Sequence, residues 1–197
     1  MYGMNENIKN ENKEDGVSFK NPASKFSGFC FEWLETFIQA IIIVVMLMTF
    51  AFRVVTVDGD SMRETLHHQD RLIVMRWDYT PKNGDIVVIS QGRFIDKPII
   101  KRVIATEGQS LEIDYEKGTV IVDGKVLNET YIKEPMWRQG DADIPKVIPK
   151  GYYFVMGDNR NNSADSRFTE VGLIPREHIV GKASFRVFPL SAIGALS

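Results

Sequence analysis

Thr119-Val120-Ile121-Val122-Asp123-Gly124-Lys125-Val126-Leu127 reads as two short strands joined by a two-residue turn. Asp-Gly supplies the left-handed backbone that a tight hairpin demands, and the flanking β-branched residues favour a pleated surface. The same grammar extends in both directions. Ser110-Leu111-Glu112-Ile113-Asp114 alternates apolar with polar residues. Val54–Val57, Leu72–Met75, Ile86–Ile89 and Ile99–Ala105 are β-branched runs upstream, punctuated by Pro81, Gly84 and Asp85. Tyr152–Met156 and Ala183-Phe185-Val187 supply late strands, and Pro175–Ile179 fits a single helical turn. The chain carries no repeats. These runs predict a mainly β fold, an antiparallel, barrel-like sheet.

One segment breaks the pattern. Thr36–Phe52, TFIQAIIIVVMLMTFAF, is 17 residues without a charge. That suffices for a membrane-spanning helix when Leu34, Val54 and Val55 extend it and Glu35 and Arg53 reach for the headgroups. Phe31 and Trp33 suit the interfacial belt. A cleavable secretory leader is the other reading of such a segment, but no small-x-small site follows, which favours a permanent anchor. The first 31 residues hold four lysines, and Arg53 to Arg76 holds four arginines, so charge bias does not orient the span. A long translocated domain escapes that rule, which leaves a cytoplasmic N-terminus allowed. The expected organisation is a polar, disordered tail over 1–30, an anchor over 31–55, and a β-rich domain over 56–197.

Composition excludes several classes. A net charge of −2 gives no field for nucleic acid. The single cysteine, Cys30, precedes the span, so the β domain has no internal disulfide. His67 and His68 are adjacent with no Cys/His cluster near them, so no metal or other cofactor is expected. Hydrophobic residues at 44% are enough for a packed interior.

Two residues suggest chemistry. Ser61 follows the span by nine residues in Val57-Asp58-Gly59-Asp60-Ser61-Met62. A serine hydroxyl needs a neighbour to take its proton before it attacks anything. Gly59 permits a tight backbone that aims the Ser61 amide at a developing oxyanion, and Met62 and Leu66 would line an apolar groove. A serine in this place also reads as an ordinary turn residue. Forty residues on, Lys101 sits in Ile99-Ile100-Lys101-Arg102-Val103-Ile104. Strand alternation puts it on one face with Ile99 and Val103, and Arg102 on the other with Ile100 and Ile104. A desolvated lysine loses its proton readily and can act as a base. An edge lysine that guards against aggregation has the same signature. A third stretch, Gly157–Arg167, follows an apolar strand and is dense in side chains that bond to backbone. Ser163 there could hydrogen-bond Lys101, and Asp165 could pair with Arg167; a surface turn is the plainer alternative.

In order, Gly59-Asp60-Ser61-Met62, Asp70-Arg71-Leu72-Ile73-Val74, Lys101-Arg102-Val103-Ile104, Gly157–Arg167 and Phe185-Arg186-Val187-Phe188-Pro189-Leu190 resemble the successive boxes of type I signal peptidases. The match spans roughly Val54 to Gly194 and looks like the compact Gram-positive form. The resemblance implies a membrane-anchored serine endopeptidase that removes signal peptides from secretory preproteins. It makes Ser61 the nucleophile and Lys101 the general base. It makes Ser163 the residue that orients Lys101, and Asp165 with Arg167 a structural pair. It gives Val57, Met62, Leu66 and Ile100 shallow pockets for small residues, as in Ala-X-Ala substrates. It implies a single pass through the plasma membrane, contact with membrane lipid, a cytoplasmic N-terminus, and a catalytic domain on the outer face. Three positions depart from the family: Glu64 replaces a usual proline, Ala105-Thr106-Glu107-Gly108 stands where Gly and Pro are usual, and Gly59 replaces a serine that assists the oxyanion in some members. Competing expectations are an accessory or conjugation-type Ser/Lys maturation peptidase, a self-cleaving Ser/Lys regulator, which is cytosolic, and an inactive membrane-tethered binding module.

Overall fold

The computed structural model describes residues 22–76, 79–90 and 97–196. Residues 1–21 of the expected tail lie outside them. The chain divides into two compact units, Met1–Val44 and Val45–Ser197.

Helix α1 runs Pro22–Ala51. Its stretch Phe31–Ala51 is long and apolar enough to cross a membrane, and none of it is buried. At about 1.5 Å per residue these 21 residues cover roughly 30 Å. Thr36 and Thr49 donate their hydroxyls to the carbonyls of Glu32 and Val45, four residues back, so those polar atoms are satisfied within the helix. The helix extends into 22–30, which the sequence assigned to the tail, because nothing from Ala23 to Phe29 stops a helix. It ends at Ala51, not 55, because Arg53 and the β-branched Val54-Val55-Thr56 favour a strand.

Strand β1 (Phe52–Thr56) therefore begins where α1 stops. β2 (Arg71–Met75), β3 (Ile86–Ile89), β4 (Ile99–Ala105), β8 (Tyr152–Met156), β9 (Ile174–Pro175), β10 (Ile179–Phe188) and β11 (Gly194–Ala195) complete one sheet in the order β1-β2-β10-β3-β4-β8-β9, with β11 on β10. A smaller sheet holds β5 (Leu111–Asp114), β6 (Thr119–Val122) and β7 (Lys125–Val126). The hairpin turn forms as expected, with Asp123 at φ 50° and Gly124 at φ 73°. Among the described residues every strand pair is antiparallel. The result is a half-barrel. Its curl comes from β10, ten residues long, which pairs with β3 by its first half and with β2 by its second. Register shifts at Ile179/Gly181, Ala183/Phe185 and Arg186/Phe188 bend it. Gly181 sits at the bend, where a Cβ would lie 2.1 Å from the Met75 carbonyl. A single turn of 3-10 helix, Arg176–His178, precedes β10.

β3 and β4 run through the centre. Ile86, Val88 and Ile100 join a core with Val57, Met62 and Leu66. Val87, Ile89 and Val103 join a second core with Tyr153 and Val155. Ile104 opens a third, shared with the smaller sheet. β3 is buried throughout, which explains its unbroken run of Ile and Val.

Candidate active site

The loop after β1 is built to present Ser61. The Val57 amide donates to the Asp70 carbonyl and the Gln69 amide to the Val57 carbonyl, closing residues 57–70 into a loop. The Asp70 carboxylate accepts from the His67 amide and from Arg186 of β10, at 2.7 Å, tying the loop to the sheet. Gly59 turns the chain at φ +98°, a conformation other residues rarely adopt. Met62 and Leu66 anchor the loop in the core, with the Leu66 amide bonded to the Met62 carbonyl.

β4 delivers Lys101. Register pairs it with Val87 at the centre of the sheet, and it is 3% exposed. Its Nζ lies 2.7 Å from Ser61 Oγ and 3.1 Å from the Ile100 carbonyl. Burial draws the amine down to about 8 from its ordinary 10.5, against the upward pull of Asp165 and, after it, Asp158. An edge lysine would be solvated; this one is enclosed beside a hydroxyl.

The Gly157–Arg167 loop backs the pair. Asp165 accepts from the Gly157 amide at 3.0 Å and pairs with Arg167 at 2.8 Å, both side chains fully buried. Arg167 also donates to the Arg160 carbonyl. Gly157 has no room for a side chain: a Cβ would lie 2.3 Å from Ser163 Oγ and 2.4 Å from the Ser61 carbonyl. Ser163 is thus packed against the same glycine as Ser61. The expected hydrogen bond from Ser163 to Lys101 is not made, however. The Ile100 carbonyl takes the second bond of the amine, and among the described residues the buried Ser163 hydroxyl has no partner.

A cleft of about 250 Å³ opens over the pair. Val57, Met62 and Ile100 line it with Ser61 and Lys101, as do Val55, Thr56, Asp58, Lys97, Pro98 and Ile99. Leu66 does not line it; it is fully buried in the core that holds Val57, Met62 and Ile100. Glu64 is exposed and is not among the lining residues. The arrangement can take a hydroxyl proton onto an amine at the edge of a partly apolar cleft.

The family described as "Signal peptidase, peptidase S26" matches residues 30–188. This chain is a member of that family. Signal peptidase I P of Bacillus subtilis subsp. natto is 38% identical over 172 residues, covering 82% of this chain and 91% of that protein. The probable signal peptidase I-1 of Synechocystis sp. (strain ATCC 27184 / PCC 6803 / Kazusa) is 38% identical over 179 residues, covering 85% and 87%. A solved signal peptidase I from Enterococcus faecalis V583 superimposes with a TM-score of 0.41 at 26% identity, covering 53% of this chain and 97% of that one. The chain is therefore an S26 serine peptidase, a signal peptidase I that removes signal peptides from preproteins.

In this signal peptidase several site residues escaped the sequence reading. Arg102 grips Asp158 with two bonds, Nε to Oδ1 at 2.9 Å and Nη2 to Oδ2 at 2.8 Å. Its guanidinium stacks 4.0 Å over the Tyr131 ring and donates to the Gly84 carbonyl. Arg160 pairs with Glu129, both buried, and Tyr131 donates its hydroxyl to Glu129. A cation on an apolar strand demands a carboxylate, and Asp158 lies two residues past the apolar β8. That was the available signal; the long-range choice of partner was not.

Proposed function

We propose that Ser61 is the nucleophile and Lys101 the general base of this signal peptidase. One observation carries the reading: a lysine 3% exposed, with its amine 2.7 Å from a serine hydroxyl at the mouth of a cleft. In its neutral form Lys101 takes the Ser61 proton as Oγ attacks the scissile carbonyl. The oxyanion of the tetrahedral intermediate is met by the Ser61 amide. The Lys101 ammonium then protonates the leaving amine, which departs as the mature N-terminus and leaves an acyl-enzyme. Lys101, neutral again, takes a proton from water, and the hydroxide releases the signal peptide. Asp165, held by Arg167, fixes the loop behind the amine. Ser163, whose buried hydroxyl is unpartnered among the described residues, would orient that amine by turning toward it.

The substrate is a preprotein whose cleavage region lies extended in the cleft with Ala-X-Ala-like small residues. Val57, Met62 and Ile100 give the cleft apolar walls, and Leu66 supports them from the core they share. Residues 31–51 anchor the enzyme once through the plasma membrane, in contact with lipid. The N-terminus is cytoplasmic and the catalytic domain outside, where exported precursors emerge.

The test is cleavage of a purified secretory precursor. Ser61→Ala and Lys101→Ala should each abolish product, and an acylating serine reagent should label the wild type but not Ser61→Ala. Full turnover by Lys101→Ala would refute the dyad.

A further inference from the structure

The Ser61 amide is the N–H half of the peptide unit whose other half is the Asp60 carbonyl. In a trans peptide the two point in opposite directions and share one plane. Whatever holds the Asp60 oxygen therefore aims the Ser61 N–H. That oxygen accepts two hydrogen bonds. One comes from the Arg63 amide at 3.1 Å, within the same loop. The other comes from Asn159 Nδ2 at 3.0 Å, 99 residues away in sequence. Both lone pairs are then occupied, and the plane has no freedom to rotate. Among the described residues the Ser61 amide itself has no partner. Asn159 makes a second contact on the next peptide unit, its own amide donating to the Ser61 carbonyl at 3.0 Å. The asparagine is 3% exposed, and its carbonyl is fixed by the Asn162 amide at 3.0 Å.

We infer that Asn159 is a positioning residue for the oxyanion: by gripping the Asp60 carbonyl it points the Ser61 N–H at the tetrahedral intermediate and polarises it as a donor. A donor that supports only the intermediate raises kcat without tightening the ground state. Gly59 leaves the loop with no side-chain hydroxyl for that task, so the aim of one backbone amide carries more weight here. The inference rests on Ser61 as nucleophile.

The experiment compares wild type, Asn159→Ala and Asn159→Asp on a precursor peptide and on two analogues that end at the cleavage position. The aldehyde analogue adds the Ser61 O–H across its carbonyl and places an oxygen where the oxyanion forms. The alcohol analogue has no carbonyl and reports ground-state binding. Removing an aimed donor outright costs about 100-fold in kcat, and loss of one of the two bonds aiming it should cost about 10-fold. Asn159→Ala should thus lose about 10-fold in kcat and in aldehyde affinity together. KM, alcohol affinity and the pH midpoint set by Lys101 should stay put. Asn159→Asp keeps the volume but turns an acceptor toward an acceptor, and should lose at least as much. It carries the comparison alone if the alanine variant does not fold. Three outcomes overturn the inference: wild-type kcat in Asn159→Asp, parallel loss of alcohol and aldehyde affinity, or a pH midpoint displaced in Asn159→Ala. Cleavage by Ser61→Ala in the same assay is a separate result and refutes the assignment of the nucleophile instead.

Discussion

Lys101 and Arg102 are neighbours on one strand, equally buried at 3% and 2% exposed, and they are solvated in opposite ways. Arg102 receives a bidentate carboxylate, a carbonyl and an aromatic face. Lys101 receives one hydroxyl and one carbonyl, with the nearest carboxylates felt only through space. The first cation is compensated and fixed in its charged state, as a guanidinium must be. The second is left short of compensation, so that its charge is optional. One site is architecture and the other chemistry, and the protein separates them by a single step along β4.

The contrast breaks most sharply on substitution with methionine. Lys101→Met should lose activity by at least about 1,000-fold, since the base is gone while the oxyanion donor and binding remain. Its stability should hold or rise, because an undercompensated amine gives way to an apolar chain of similar length. Arg102→Met should do the reverse in stability. It strands the buried Asp158 and should cost about 3–5 kcal/mol in urea unfolding, with a substantial part recovered in Arg102→Met/Asp158→Leu. Equal stability of the two single variants would remove the distinction.

The pH dependence sharpens it. With Lys101 near 8, about a tenth of the enzyme holds a neutral amine at pH 7, so kcat/KM should rise with pH through about 8. Stability follows the same group. Between about 8 and 10.5 the unfolded chain binds a proton on Lys101 that the folded chain does not, so the contribution of this group to stability rises with pH across that window, and wild type should gain on Lys101→Met there. That difference should be flat in pH if Lys101 titrates alike in both states. The smallest effect is that of Asp158→Asn. It removes one upward pull on the amine, so the activity midpoint should move to lower pH; a shift to higher pH would contradict the assigned cause.

Local features of this architecture were legible in the residues. The Asp123-Gly124 hairpin, the runs at 86–89, 99–105 and 152–156, and the apolar helix follow from periodicity and turn chemistry over a few neighbours. Ser61 and Lys101 were legible as candidates, and the Asp165–Arg167 pair as a possibility, because the members of each lie on motifs with local logic. Arg102–Asp158 and Arg160–Glu129 were not, because their partners meet only when β4, β8 and the segment before Met136 close on one another. Ser163 failed in the opposite sense. Its place in the loop after β8 was readable, but not that the Ile100 carbonyl would take the second bond of the amine, which no spacing rule ranks. Leu66 shows the same limit, since apolarity predicts burial but not which layer of the pocket a side chain occupies.

The alignment of β4 against β3, with Val87 opposite Lys101 and Ile86 opposite Arg102, has an evolutionary corollary. Deleting one residue before Ile99 would slide the guanidinium into the seat beside Ser61. Such a protein would deliver a positive charge to the hydroxyl as faithfully as before, yet a guanidinium does not surrender its proton at any pH a cell meets. Length changes in that connection are therefore expected to be selected against, because a single miscount there would exchange a base for a permanent cation.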